Sequence, residues 1–172
     1  SNNTAVGFNS LNANTTGASN VALGTIALDA NTTADNNTAV GFACLSDNTT
    51  GHSNVGVGKE ALGANTTGSN HTAVGLGALD ANTTSAANSA FGRDALGANT
   101  TGNDNTALGY ASLFSNTTAD NNTAVGFKSL YACTTGHANV AMGRNTGLAV
   151  TTGYANTLIG YSVCTSLTSG IG

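Results

Sequence analysis

The chain has 172 residues, among them 24 Asn, 28 Thr and 23 Gly, with no Pro and no Trp. Net charge is −4, and four basic residues (Lys59, Arg93, Lys128, Arg144) leave little to neutralise a phosphate backbone, so nucleic acid is excluded as an expected partner. No stretch approaches the roughly 20 apolar residues of a membrane-spanning helix. The apolar residues recur in one short run rather than in the varied runs of an enzyme core.

From the first residues onward the chain is periodic. Gly7, Gly24, Gly41, Gly58, Gly75, Gly92, Gly109, Gly126, Gly143 and Gly160 stand seventeen residues apart. The unit Asn-Thr-Ala-Val-Gly-x-x-Ala-Leu-x-Ala-Asn-Thr-Thr-Gly-x-x starts at residues 3, 20, 37, 54, 71, 88, 105, 122, 139 and 156. Within it Thr4-Ala5-Val6 predicts a short strand stopped by Gly7, and Ser10-Leu11 a second short run. Asn14-Thr15-Thr16-Gly17 predicts a turn. Strand, bend, strand and turn make one coil, so residues 1–172 are expected to form a single all-β domain. Its architecture is a parallel β-solenoid or β-roll of ten 17-residue coils.

Alternation along the strand sends Thr4 and Val6 one way and Ala5 and Gly7 the other. Placing the larger side chains inside predicts a core of Val6, Leu11, Leu23, Leu28, Val40, Leu45, Val57, Leu62, Val74, Leu79, Phe91, Leu96, Leu108, Leu113, Val125 and Leu130. The Ala5 and Gly7 columns then form a flat small-residue outer face. Asn3 and its equivalents are expected to stack as an amide ladder along the axis. One Val and one Leu per coil is a thin interior, so burial against further copies of the chain, as a homotrimer or a filament, is expected.

The segment Asn31–Phe42 recurs unchanged as Asn116–Phe127, 85 residues or five units later. Towards the C-terminus the pattern drifts: Cys133 and Val150 replace Asn, Gly147 and Cys164 replace Leu, and Leu167 and Ile171 are also atypical. The drift predicts an approach to a cap or a domain boundary there. The N-terminal copy is already a full consensus, which predicts a segment cut from a longer fibre.

The run Asn-Thr-Ala-Val-Gly-x-x-Ala-Leu resembles the head repeats of trimeric autotransporter adhesins, whose units carry an Asn-Ser-Val-Ala-Ile-Gly core, and similar repeats in phage tail-fibre shafts. The resemblance runs through all ten copies. It implies a left-handed parallel β-roll, three chains packed side by side, an extracellular place on a cell or virion surface, and attachment rather than catalysis. The family's commonest unit is shorter, and the Asn-Thr-Thr-Gly turn is an extension of it.

No catalytic residue, cofactor or metal ligand is expected. Asp35 and Asp120 share a column but lie five coils, about 24 Å, apart, beyond the roughly 5–10 Å of a hydrolytic carboxylate pair. Asp29 and Asp80 are three coils apart, His52 and His137 five, and His71 substitutes for Asn in the ladder. Cys44, Cys133 and Cys164 are expected to be isolated thiols. A varied column follows each glycine, and Phe8, Phe42, Lys59, Arg93, Tyr110, Phe127, Arg144 and Tyr161 form a candidate stripe for carbohydrate or a host-surface protein. Eleven Asn-x-Thr sequons occur, of which Asn14, Asn31, Asn48, Asn65, Asn82, Asn99 and Asn116 are candidate N-glycosylation sites.

These features predict a non-enzymatic structural or adhesive extracellular fibre segment presenting a repetitive surface. One alternative is a self-assembling, N-glycosylated extracellular filament subunit. A second is an ice-binding β-solenoid using the stacked Thr15 and Thr16 columns, although adjacent threonines in extended backbone face opposite ways.

Overall fold

Each repeat carries one β-competent triplet ahead of its glycine, and each triplet becomes one strand. The computed structural model describes residues 2–166 and 168–169. The strands are β1 Thr4–Val6, β2 Val21–Leu23, β3 Thr38–Val40, β4 Val55–Val57 and β5 Thr72–Val74, followed by β6 Ser89–Phe91, β7 Thr106–Leu108, β8 Thr123–Val125, β9 Val140–Met142 and β10 Thr157–Ile159. Neighbours in sequence are neighbours in space, giving one ten-stranded parallel sheet. The register is that of the repeat: Thr4 pairs with Val21, Ala5 with Ala22, Val6 with Leu23, and so on along the rod. At the usual strand spacing the ten layers span roughly 48 Å. The protein is an all-β parallel β-solenoid.

Ser10-Leu11 does not form a second strand. The Leu11 column sits in left-handed backbone, with φ of 54° at Leu11, 51° at Leu28 and 52° at Leu45, and the Asn9 and Ser19 columns do the same. That conformation costs about 1–2 kcal/mol per non-glycine residue. The compensation is visible in the bonds it permits: Leu28 N donates to Cys44 O at 3.1 Å and Leu45 N to Ala61 O at 3.0 Å, one coil on. Three left-handed residues per coil turn the chain back on itself within seventeen residues. The repeated glycine has a different task, because a Cβ on Gly7 would run into the Gly24 carbonyl of the next coil.

The strand alternation is realised with the opposite sense to the one expected. Ala22, Ala39, Ala73, Ala90, Ala107, Ala124 and Ala141 are fully buried. The Val6 column (Val6, Leu23, Val40, Val57, Val74, Phe91, Leu108, Val125) faces away from the coil interior, with Leu108 48% exposed where Leu113 is 0%. The expected small-residue outer face is therefore an inner one. The cause is space. Leu28, Leu45, Leu62, Leu79, Leu96, Leu113 and Leu130 fill the interior with zero exposure, and the strand crossing them has room only for a methyl group. Where Cys44 replaces the usual small neighbour, the facing strand residue shrinks to Gly56, whose Cβ would meet the Cys44 sulfur.

The C-terminal drift is partly a volume exchange. Gly147 vacates the Leu column, and Leu158 enters the normally Ala column of β10 to fill the gap; a Cβ on Gly147 would stand 3.1 Å from Leu158 Cδ1. Val150, in place of Asn, is buried. Leu167 and Ile171 lie outside the described residues.

This arrangement separates the Leu11 column from the column after the glycine by experiment. Leu62→Asp places a carboxylate where no partner exists and should abolish the cooperative melt followed by circular dichroism. Leu76→Asp, at a position 44% exposed, should shift stability by no more than about 0.5 kcal/mol.

Candidate functional site

Two asparagine columns meet inside coils one to four, six and seven. In the first, Asn20 Nδ2 donates across the coil to Ala34 O at 2.8 Å, while its Oδ1 accepts the Asn37 backbone N–H of the next coil at 2.9 Å. In the second, Asn31 Nδ2 donates to the same Ala34 O at 3.2 Å and to Asn14 Oδ1 of the preceding coil at 2.9 Å. Gly51 O, Gly68 O, Gly102 O and Ala119 O likewise each take one amide from either column. One carbonyl with two lone pairs thus closes each of these coils, and the side-chain oxygens tie them to their neighbours.

That network is incompatible with glycans at the Asn14-column sequons. Asn31, Asn48, Asn65, Asn82, Asn99 and Asn116 are fully buried, and their Nδ2 atoms donate inside the rod. Asn14, in the first coil, is half-buried and donates to Gly17 O at 3.1 Å. A glycan on any of these nitrogens would displace the bonds that close the coil. The Asn14 ladder stops at Cys133, whose Sγ donates to Gly136 O at 3.2 Å but sends nothing to the coil before. Asn116 Oδ1 is accordingly left buried with no partner.

His71 occupies the first column with the same two connections. Asn88 N donates to its Nδ1 at 3.2 Å, so the neutral ring carries its proton on Nε2, which donates to Ser85 O at 2.9 Å. Ser85 takes a position usually held by Gly, and its hydroxyl donates to Asn82 Oδ1 while accepting from Asn88 Nδ2 at 2.9 Å. Burial outweighs the backbone hydrogen bonds and lowers the His71 pKa to about 4. Burial likewise raises the Cys44 thiol to about 12 and Cys133 to about 11, which leaves both unreactive. All three cysteines are free thiols.

The acids are spread along the rod. Asp35 Oδ1 accepts from Ala18 N, and Asp120 Oδ1 from Asn103 N, both at 2.6 Å. They perform the same inter-coil task five coils apart. Asp29 and Asp80 are raised above the ordinary carboxylate value, mainly by burial and then by neighbouring carboxylates. Among the described residues no three His, Cys, Asp or Glu side chains gather as a metal site. The Thr15-column hydroxyls are committed as well: Thr15, Thr49 and Thr66 each donate to a threonine carbonyl of the next coil, and the Thr16 column is exposed beside them.

What remains outward is the strand face and the stripe beside it. The Thr4 and Val6 columns contain no charged residue, and Val21, Leu23, Val55, Val57, Phe91, Leu108, Val140 and Met142 are exposed on them. A face of three residues by ten strands has a footprint on the order of 500 Å²; its apolar part is the Val6 column with Val21, Val55 and Val140, and the rest of the Thr4 column is Thr or Ser. Every member of the expected stripe is exposed: Phe8, Phe42, Lys59, Arg93, Tyr110, Phe127, Arg144 and Tyr161. From coil six to coil ten these side chains stack on one another. Arg93 lies 5.8 Å from the Tyr110 ring, Tyr110 and Phe127 stack at 5.3 Å, and Arg144 lies 5.3 Å from Phe127 and 5.6 Å from Tyr161. Sequence reading missed Lys128, Tyr131 and Phe114, which join this patch from neighbouring columns; Lys128 Nζ is 5.0 Å from the Tyr131 ring, and Tyr131 stacks on Phe114 at 5.5 Å.

No known protein family, curated protein or solved structure matches the chain. Among the described residues no helix is long and apolar enough to cross a membrane.

The His71 site sets a pH dependence. Between about 6.5 and about 4 the unfolded chain protonates this ring and the folded one does not, so stability is full above pH 6.5 and falls as pH drops through that window. The loss should approach about 3 kcal/mol, and denaturant melts of the His71→Asn variant should lack it. Cys133→Asn should donate to Asn116 Oδ1 and raise stability by about 1 kcal/mol in the same assay.

Proposed function

We propose that this chain is a non-enzymatic segment of an extracellular attachment fibre in which copies of the solenoid pack together through their strand faces. The observation that carries the reading is the uncharged strand face whose apolar Val6 column runs the length of the rod, beside an interior already filled by Leu and Asn. A hydrophobic surface of this size and flatness is stabilised by removal from water. A face built of the same columns from end to end is matched in length by another copy of itself. Resemblance to adhesin head repeats favours three chains about a common axis. In that assembly the Val6 column, outward in one chain, becomes the shared core, and the rings and cations of the stripe flank the seam as the surface presented to a host carbohydrate or protein.

Mass photometry of the purified chain should give a species three times the 16.8 kDa protomer. A folded monomer that persists at micromolar concentration would contradict the assembly. Leu108→Asp, on the strand face, should shift the population to monomer while the β-type circular dichroism spectrum is retained, because it adds a charge to the seam without touching the Leu and Asn interior.

A further inference from the structure

Resting on the attachment reading, we infer that the Lys128–Arg144 patch of coils eight to ten is a binding site for an acidic polysaccharide. Two of the chain's cations are neutralised locally: Lys59 by Glu60 at 3.4 Å and Arg93 by Asp94 at 3.1 Å. Among the described residues Lys128 and Arg144 have no such carboxylate. Both are gathered by one ring, Phe127, at 5.6 and 5.3 Å. Their outer contacts are Tyr131 and Tyr161, and Arg144 Nη1 donates to Tyr161 Oη at 3.0 Å. The rings hold the cations in place and leave their charge uncompensated.

The charge distribution singles out the same region. Five of the eight acids lie within the first five coils, whereas Asp120 is the one carboxylate from residue 105 to the end. An anion approaching the rod is repelled along its first half and meets two unpaired cations near the other end. Nucleic acid is disfavoured by the same census, since two cations on a chain of net charge −4 would neutralise few phosphates.

The rings also decide between charged and neutral glycans. Neutral sugars gain most of their affinity by laying C–H faces on open aromatic faces. Here both Tyr110 and Phe127 lie between two stacked neighbours, so their faces are covered and their edges point out. What the patch offers is two fixed positive charges with Tyr110, Tyr131 and Tyr161 hydroxyls nearby, spread along the rod axis. A linear chain of sugars bearing carboxylate or sulfate groups meets both requirements.

Biolayer interferometry with heparin, polygalacturonate, neutral dextran and double-stranded DNA tests this on the intact chain. Heparin and polygalacturonate should bind, with affinity falling as salt is raised, and dextran should not. The Lys128→Gln/Arg144→Gln double variant should lose at least about tenfold in affinity, while Lys59→Gln, which removes an ion-paired cation outside the patch, should bind as the parent does. With no Trp and four Tyr in the chain, saturable change in tyrosine emission on adding polygalacturonate is a second readout that needs no variant. No binding of either acidic polysaccharide, equal binding of dextran, preference for DNA, or unchanged affinity of the double variant would each overturn the site. Mass photometry on the same samples separates the two proposals: a trimer that ignores both polysaccharides removes this site alone, and a monomer that binds them removes the assembly alone.

Discussion

The structure depends on one carbonyl per coil. The carbonyls of Gly17, Ala34, Gly51, Gly68, Gly102 and Ala119 each accept an amide hydrogen from two asparagines, and those asparagines pass bonds on to the coils before and after. An amide buried without partners costs several kcal/mol in an apolar setting. Paired in this way, the same groups fix where each coil begins and ends. The interior is accordingly half polar and narrow. The Leu column fills the remaining width, the strand above it carries Ala, and the larger apolar residues of the strand have nowhere to go but out. The apolar face that dominates the functional reading is thus a consequence of the asparagine network.

Much of this was legible in the sequence. The seventeen-residue period gave the coil, Thr4-Ala5-Val6 gave the strand, the Asn3 column, broken only at His71, gave a ladder, and the Leu11 column gave the largest interior side chains. Two readings failed for identifiable reasons. Asn14-Thr15-Thr16-Gly17 has the composition of a solvent turn, yet Asn14 and its equivalents point inward; a solvent turn would tolerate variation, and the Asn stays fixed through seven coils. The Val6 column was assigned to the interior by hydrophobicity. Size variation points the other way: the Ala5 column holds Ala or Gly in nine coils, whereas the Val6 column wanders among Val, Leu, Phe, Met and Ile. A packed interior fixes volume, and an outer face fixes only polarity. Left-handed Leu residues had no sequence signal, since Leu is an unfavourable choice for that conformation and is used because the site needs its volume.

Substitutions along the rod show the same accounting at the level of single coils. Cys44 is matched by Gly56, Gly147 by Leu158, and His71 by Ser85, each a change in one coil answered in the same coil or the next. Cys133 is answered by nothing and leaves Asn116 Oδ1 orphaned. Outside, the surface is divided along its length. Five of the eight acids occupy the first five coils, and a stacked series of rings and cations runs along the second half, self-supporting along the axis. Interior uniformity and exterior variety fit a rod whose fold is repeated and whose recognition is local.

Amide hydrogen exchange read residue by residue tests the central claim most directly. The backbone N–H groups of Asn37, Asn54, Asn105 and Asn122 donate to side-chain oxygens of the preceding coil at 2.9–3.0 Å. If the asparagine network holds the coils together, these amides should exchange only through global unfolding, as slowly as those of Leu45, Leu62 and Leu113. Exchange of the four Asn amides through local opening, at the rate of exposed turn residues while the Leu amides stay protected, would contradict it.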